Sequence, residues 1–454
     1  MMRGVSLSHS SKRPADAMVV SLLKRASAFF QHDQFERTGV AILRKRRHLL
    51  YLCAGVRILG ATRLGNALLI IIAVLTYKTL RWPTPGRVFQ FGMTENNVRV
   101  LRRVNSTAKR DAWNDSINGR RLAFSRRLRV VSQFAPLWMA ATALTRRMGA
   151  TGFSHAQLVL TVSAYLVYRQ ETLRGVACVC VASDHSPVAL GLLHAARENG
   201  LRTCYVQHAP VADYFPPLDY DLSILFDRAS AATYQTAAAN CRAAVDGRIV
   251  LLPPFETDAV TPRPLRSPPF RVGICLSYVF NAEAVERLIK ELLVLACIET
   301  VSVRRHPRCK ANFGALRIHE AVAEAPPQTL AKFARDCDVI LVPNSGVAIE
   351  LLHLGAPAMY TPGVDTIAFD YYGFVKAGVV PLYNPHWLTS PDRLAAFFDE
   401  EWRQRFALYD ETILEPLAVS RDRAGKAFRD LVEKEVIRSE NNATSRHPTA
   451  PLRI

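Results

Sequence analysis

The stretch Asp338–Tyr360, DVILVPNSGVAIELLHLGAPAMY, reads as a buried strand, a tight polar turn, a helix and a second strand. The run VILV is short and continuously apolar, the pattern of a parallel strand covered on both faces, and VAIELLHL has helical apolar spacing. A strand–helix–strand unit of this kind places the chain in the α/β class. It also singles out the turn Asn344-Ser345-Gly346. Ser345 is either an ordinary helix N-cap or part of a phosphate cradle, in which free backbone N–H groups and the positive helix end face an anion and Gly346 admits it closely.

The same alternation extends on both sides. Upstream, VACVCVAS, LRTCYVQHA, DLSILFD and RIVLLPPF read as strands, and VALGLLHAARENG as the helix between the first two. RVFQFGMT adds an earlier strand, followed by the helical ENNVRVLRRV. TPRPLRSPP, residues 261–269, has four prolines in nine residues and reads as a linker. After it FRVGICLS, ETVSVRRHPR, VILVPNSG and APAMYTP alternate with helices. The expected architecture is two doubly wound Rossmann-like domains facing a cleft, residues 86–260 and 270–435, behind a basic helical N-terminal extension, 1–85, and ahead of a tail, 436–454.

Ligands of such sheets bind beyond the C-terminal strand ends, so the residues after each strand are the candidates. Ser277 follows the first strand of the second half. His306 and Arg308, in RRHPR, either form a surface turn or stabilise charge developing on a diphosphate leaving group without a metal. Glu350, one turn into the helix, either favours the helix dipole or accepts hydrogen bonds from a ribose diol. In the first half His208 enters the cleft from the opposite side, as a structural histidine or as a neutral base toward an acceptor hydroxyl. Asp184 and His185 form a competing pair, with Asp184 a base, an orienting partner of His208, or the N-cap of the next helix.

Charge is divided unevenly along the chain. Residues 1–150 contain 27 Lys and Arg against 6 Asp and Glu, whereas the remaining 304 contain 31 against 33. Such a basic third suggests an anionic partner, or else arginines that solubilise an otherwise apolar segment. No zinc-finger, RNA-recognition or basic-zipper signature accompanies it, which points away from nucleic acid and toward an anionic membrane surface. The apolar run Leu64–Tyr77, LGNALLIIIAVLTY, is short of the roughly 20 residues of a spanning helix. It is expected to lie in a membrane interface or to dock on the body of the protein. The N-terminus lacks the pattern of a secretory peptide, and the nine scattered cysteines have no metal-ligand spacing, which fits a reducing, cytoplasmic compartment.

Taken in order, HPR followed by PNSGVAIELLHLGAP resembles the nucleotide-binding half of GT-B-fold transferases of bacterial surface and capsule polysaccharides, both the Kdo- and sialyl-type enzymes and the CDP-glycerol glycerophosphotransferases. DHSPVALGLLHAARENGLRTCYVQHAP is similar to their first half, although Ala209 stands where relatives often have glycine. The resemblance implies His306 and Ser345 on the donor phosphates, with Asn344, Gly346, Ser277 and Arg308 beside them, Glu350 on the ribose and His208 as base. It implies a nucleotide-sugar or CDP-polyol donor, a glycan or lipid-linked acceptor, no further cofactor and no metal, at the cytoplasmic face of the inner membrane. The rivals are a UDP-sugar 2-epimerase-like enzyme and a non-catalytic membrane- or polysaccharide-binding scaffold.

Overall fold

The computed structural model describes residues 14–33, 35–36, 47–84, 86–147, 151–169, 173, 175–241, 243, 245–254, 263–307, 309, 320–365, 367 and 369–444. The first sheet consists of β1 (Val88–Phe91), β2 (Cys178–Val181), β3 (Arg202–Val206), β4 (Asp219–Leu225) and β5 (Asp246–Leu251), all parallel and adjacent in chain order. Every residue of β1 and β2 is buried, as expected for strands covered on both faces.

Side chains of a strand alternate between faces, and the two faces meet different helices. Phe89, Phe91, Val179, Val181 and Tyr205 share a core with α1 (Pro14–Phe30), α3 (Arg63–Thr76), α7 (Gly152–Arg169) and α8 (Pro187–Glu198). The helices α2 (Arg47–Gly60), α5 (Phe124–Val131) and α6 (Phe134–Arg146) complete this layer. Gly191 of α8 permits the close approach of α7, since a Cβ there would stand 2.5 Å from the Thr161 carbonyl oxygen. Deleting a buried ring such as Phe89 is expected to cost about 3–5 kcal/mol.

Val88, Cys178, Cys180, Cys204, Leu222 and Ile224 point to the other face, which is covered by α4 (Glu95–Thr107) and, from the far end of the chain, by the last helix. That helix, α14 (Leu417–Thr444), places Ala424, Ala427, Phe428 and Val432 on the first sheet, so a boundary at 435 does not coincide with the packing. Arg429 donates to the Ala108 carbonyl at 3.0 Å, and Phe428 meets Trp113 edge-on at 5.2 Å.

The second sheet comprises β6 (Phe270–Cys275), β7 (Ile298–Arg304), β8 (Val322–Glu324), β9 (Val339–Val342) and β10 (Ala358–Tyr360), parallel in the order β8-β7-β6-β9-β10. On one face α10 (Ala282–Leu293) buries Val285, Leu288, Ile289 and Leu292, a helical stripe, against Val272, Ile274, Val339 and Leu341. On the other, α11 (Leu330–Asp336), α12 (Val347–His353) and α13 (Glu400–Tyr409) cover Ile340, Val342, Ala358 and Tyr360. The strand order reverses between β6 and β9, which opens a crevice at their C-terminal ends. The molecule is thus the α/β pair of Rossmann-like halves expected from the sequence. Among the described residues no helix is long and apolar enough to cross a membrane.

Candidate functional site

At the reversal, Pro343–Gly346 leads from β9 into α12. Asn344 fixes this turn: its backbone N–H donates to Asp365 at 3.0 Å, its side-chain amide to the Tyr360 hydroxyl at 3.0 Å and to the Ile367 carbonyl at 3.2 Å, and its Oδ1 accepts from Tyr371 N–H at 2.8 Å. Both amide hydrogens are therefore used within the protein, which makes Asn344 an organiser of the turn. Gly346 occupies the N-cap position of α12, and Ser345 Oγ accepts from Val347 N–H at 3.3 Å. Ser277 follows β6, with its hydroxyl donating to the Val279 carbonyl, and His306 follows β7 edge-on to Tyr278. Glu350 projects from the first turn of α12. Burial pushes its carboxyl up, against the opposing pull of the Arg99 and Arg304 guanidinium groups and His353.

The opposite wall grows from the end of β3. Gln207 is fully buried, donating to the Ala209 carbonyl and to Ser230 Oγ, both at 2.9 Å, and accepting from Phe226 N–H at 2.8 Å. These bonds fix the backbone on either side of His208, whose carbonyl accepts from Asn96 of α4 at 2.8 Å. The His208 Nδ1 is buried with no partner among the described residues. Burial, reinforced by His185 and opposed by Asp184, lowers its pKa to about 4, so the ring is neutral at neutral pH.

Asp184 and His185 lie behind His208, outside the cleft lining. Asp184 is 2% exposed and accepts from His185 Nδ1 at 2.6 Å and from the Tyr234 hydroxyl at 2.5 Å, with Tyr205 3.0 Å beyond. Burial alone would raise its carboxyl; His185 and the Tyr234 hydroxyl outweigh it and hold the pKa below the usual range. The N-cap role falls instead to Ser186, which accepts from Ala189 N–H at 3.3 Å. His185 itself packs between Phe29 of α1 and Phe215, with ring centroids 5.2 and 4.7 Å away.

The two walls enclose a cleft of about 1300 Å³ lined by His208, Ser277, His306, Asn344, Ser345, Gly346 and Glu350. This exceeds the roughly 300–1,000 Å³ of common small-molecule sites. The halves meet at Gly346, where a Cβ would stand 3.0 Å from Pro210 Cδ. Arg308 lies outside the described residues.

Sequence reasoning did not identify the contribution of α4 and α14: Asn96, Arg99 and Arg103 from one and Arg421 from the other also line the cleft. Asn96 follows β1 closely enough for the strand-end rule to have found it. The arginines needed the packing of α4 and the return of α14. At the far end, Asp227, the N-cap of α9 (Arg228–Asn240), lies against the second half. Burial and the neighbouring Asp410 push its carboxyl up to about 7. Asp410 is fully buried, bonded to His353 at 2.9 Å and to Thr412, and Arg228 pairs with Glu411. Among the described residues no group of three or more His, Cys, Asp or Glu is placed to hold a metal ion.

No family model and no curated protein matches the chain. Solved structures with partial likeness to the chain include glycosyltransferases. CalG4, the calicheamicin glycosyltransferase, is 16% identical over 77% of this chain and 99% of its own, with a TM-score of 0.48. WaaB, a lipopolysaccharide outer core galactosyltransferase in its apo form, is 12% identical over 77% and 99%, at 0.40. The GtfA/B complex is 12% identical over 60% of each chain, at 0.37. At these identities and TM-scores the likenesses carry no inference about this chain, and its chemistry must be argued from the cleft.

Proposed function

We propose that the protein is a glycosyltransferase that moves a sugar, or a polyol-phosphate, from a nucleotide-activated donor to a hydroxyl of a glycan or lipid-linked acceptor in surface-polysaccharide synthesis. One observation supports this best: Ser277, His306, the Ser345–Gly346 turn and Glu350 line one wall of the cleft beside the strand-order reversal, and the other wall carries His208, kept neutral by burial. The donor diphosphate would lie against the Ser345–Gly346 turn and His306, with Glu350 toward the ribose. Arg99, Arg103 and Arg421 add positive charge around it.

In the sugar case, an acceptor hydroxyl attacks the anomeric carbon, the bond from that carbon to the diphosphate oxygen breaks, and the proton passes to the His208 imidazole. Negative charge growing on the diphosphate meets His306 and the positive side chains. Asp184 and His185, one layer back, act as positioning residues rather than as the base. A protein working on a membrane-borne acceptor belongs at the cytoplasmic face of a membrane, and the basic N-terminal third suits that place.

Thermal unfolding in the presence of CMP, CDP, UDP, GDP and their sugar or glycerol conjugates tests the reading. One nucleotide class is expected to raise the midpoint, and Ser345→Ala to abolish most of that shift. No shift with any of them would reject the donor site. Binding without transfer to any acceptor would instead leave a nucleotide-binding scaffold.

A further inference from the structure

We propose that the outward faces of α2, α3 and α5 form a single apolar, arginine-rimmed surface that docks on an anionic lipid bilayer. This deepens the transferase reading by placing its membrane contact, and it rests on that reading only for its purpose. Helix α3 buries Ala67, Ile70, Ala73 and Val74 against the first half, so the apolar run around it is a docked helix. Its opposite side carries Leu64, Leu68 and Ile72, spaced four apart and 73%, 45% and 46% exposed. That row spans about 12 Å along the helix axis.

The helices touching α3 continue the surface. Tyr51 and Ile58 of α2 are 78% and 75% exposed, and Phe124 of α5 is 63% exposed. Arg127 of α5, donating to the carbonyls of Val74 at 2.6 Å and Tyr77 at 3.2 Å, pins α5 to the end of α3. Large aliphatic and aromatic side chains turned outward on three adjoining helices are uncommon on a surface with no partner.

Charge selects the partner. Residues 37–94 and 116–170 contain no Asp or Glu, so every carboxylate or cationic Lys or Arg position on these three helices is an arginine. Arg57 and Arg63 flank the α2–α3 turn and are exposed. A row of leucine and isoleucine beside guanidinium groups fits the acyl–headgroup boundary of an acidic bilayer, where apolar groups insert and cations meet phosphates. Nucleic acid would satisfy the arginines and leave the aliphatic row in water.

The experiment is co-sedimentation of the full chain with vesicles of phosphatidylcholine alone and of phosphatidylcholine mixed with phosphatidylglycerol. Binding is expected with the mixed vesicles and is expected to fall as salt rises. The triple substitution Leu64→Ser, Leu68→Ser and Ile72→Ser should weaken it by at least about tenfold. Arg57→Glu with Arg63→Glu should weaken it about fivefold for each charge removed. These positions are exposed, so the unfolding midpoint and any nucleotide shift should stay as in the parent, which keeps failure of docking distinct from failure of the donor site. Absence of binding to the mixed vesicles overturns the proposal. So does unchanged binding of the triple variant, or a dimer, formed without vesicles, that the triple substitution dissolves.

Discussion

In the second sheet the strand order reverses between β6 and β9; in the first it follows the chain from β1 to β5 without reversal. The reversal makes a crevice by topology alone, because the connections leaving adjacent strands depart to opposite faces. Ser277 and the Asn344–Gly346 turn sit on its two lips. The first sheet has no such opening, and its wall of the cleft is built from side chains that hold turns: Gln207 with its three hydrogen bonds, and Asn96 on the His208 carbonyl. On the proposed reading, one half would supply the anion site at a topological crevice, and the other a single histidine ring on a braced loop.

If labour is divided in that way, His208→Ala should have the largest effect and a selective one. Turnover is expected to fall by about 10²–10⁴-fold, with donor affinity within about twofold of the parent. Steady-state kinetics beside direct nucleotide titration separate the two. Loss of donor affinity in place of turnover would break the division. Because burial holds His208 at about 4, the acid limb of kcat/KM should also fall near pH 4, well below the value of an exposed histidine.

A second difference concerns where the halves press together. Asp227 of the first half lies close to the fully buried Asp410 of the second, and two carboxylates in one buried site cannot both ionise cheaply. In the unfolded chain Asp227 ionises in the ordinary carboxylate range; in the fold it holds its proton to about pH 7. Its contribution to stability is thus fully present below the ordinary range and is lost as pH rises through 7. Asp227→Asn keeps an acceptor for Ser230 N–H and removes the charge. It should stabilise the protein at pH 8 by about 1–3 kcal/mol and change little at pH 4. Urea unfolding at the two pH values checks this, and an equal effect at both would show that the carboxylate pair is not the cause.

The sequence revealed most where one segment sufficed. Continuous apolar runs marked β2 and β9, because a strand buried on both faces has no polar side to disguise it. The strand-end rule then found His208, Ser277, His306 and Ser345 for the cleft. It failed where contacts join distant segments. For Asp184 the local pattern allows base, orienting partner of His208 and helix cap alike; Ser186 takes the cap, and Asp184 turns inward to Tyr234, fifty residues away. The run Leu64–Tyr77 showed its hydrophobicity but not its two faces, since Ile70 and Ile72 differ only in what packs against them. Nor does any local pattern in Leu417–Thr444 announce that this helix crosses to the first sheet.

The smallest expected effect probes the seam between the two walls. Gly346 has an ordinary helical backbone, with φ at −57°, so alanine is compatible there and only the Pro210 ring resists it. A methyl 3.0 Å from Pro210 Cδ forces the loop after His208 back by a few tenths of an ångström. That shift should raise the donor KM about threefold in Gly346→Ala, and pairing it with Pro210→Ala should recover most of the loss, as expected for residues in direct contact. If the loss persists in the double variant, the methyl acts on the bound donor itself. The turn would then be a direct anion contact whose fit is independent of how closely the two halves approach.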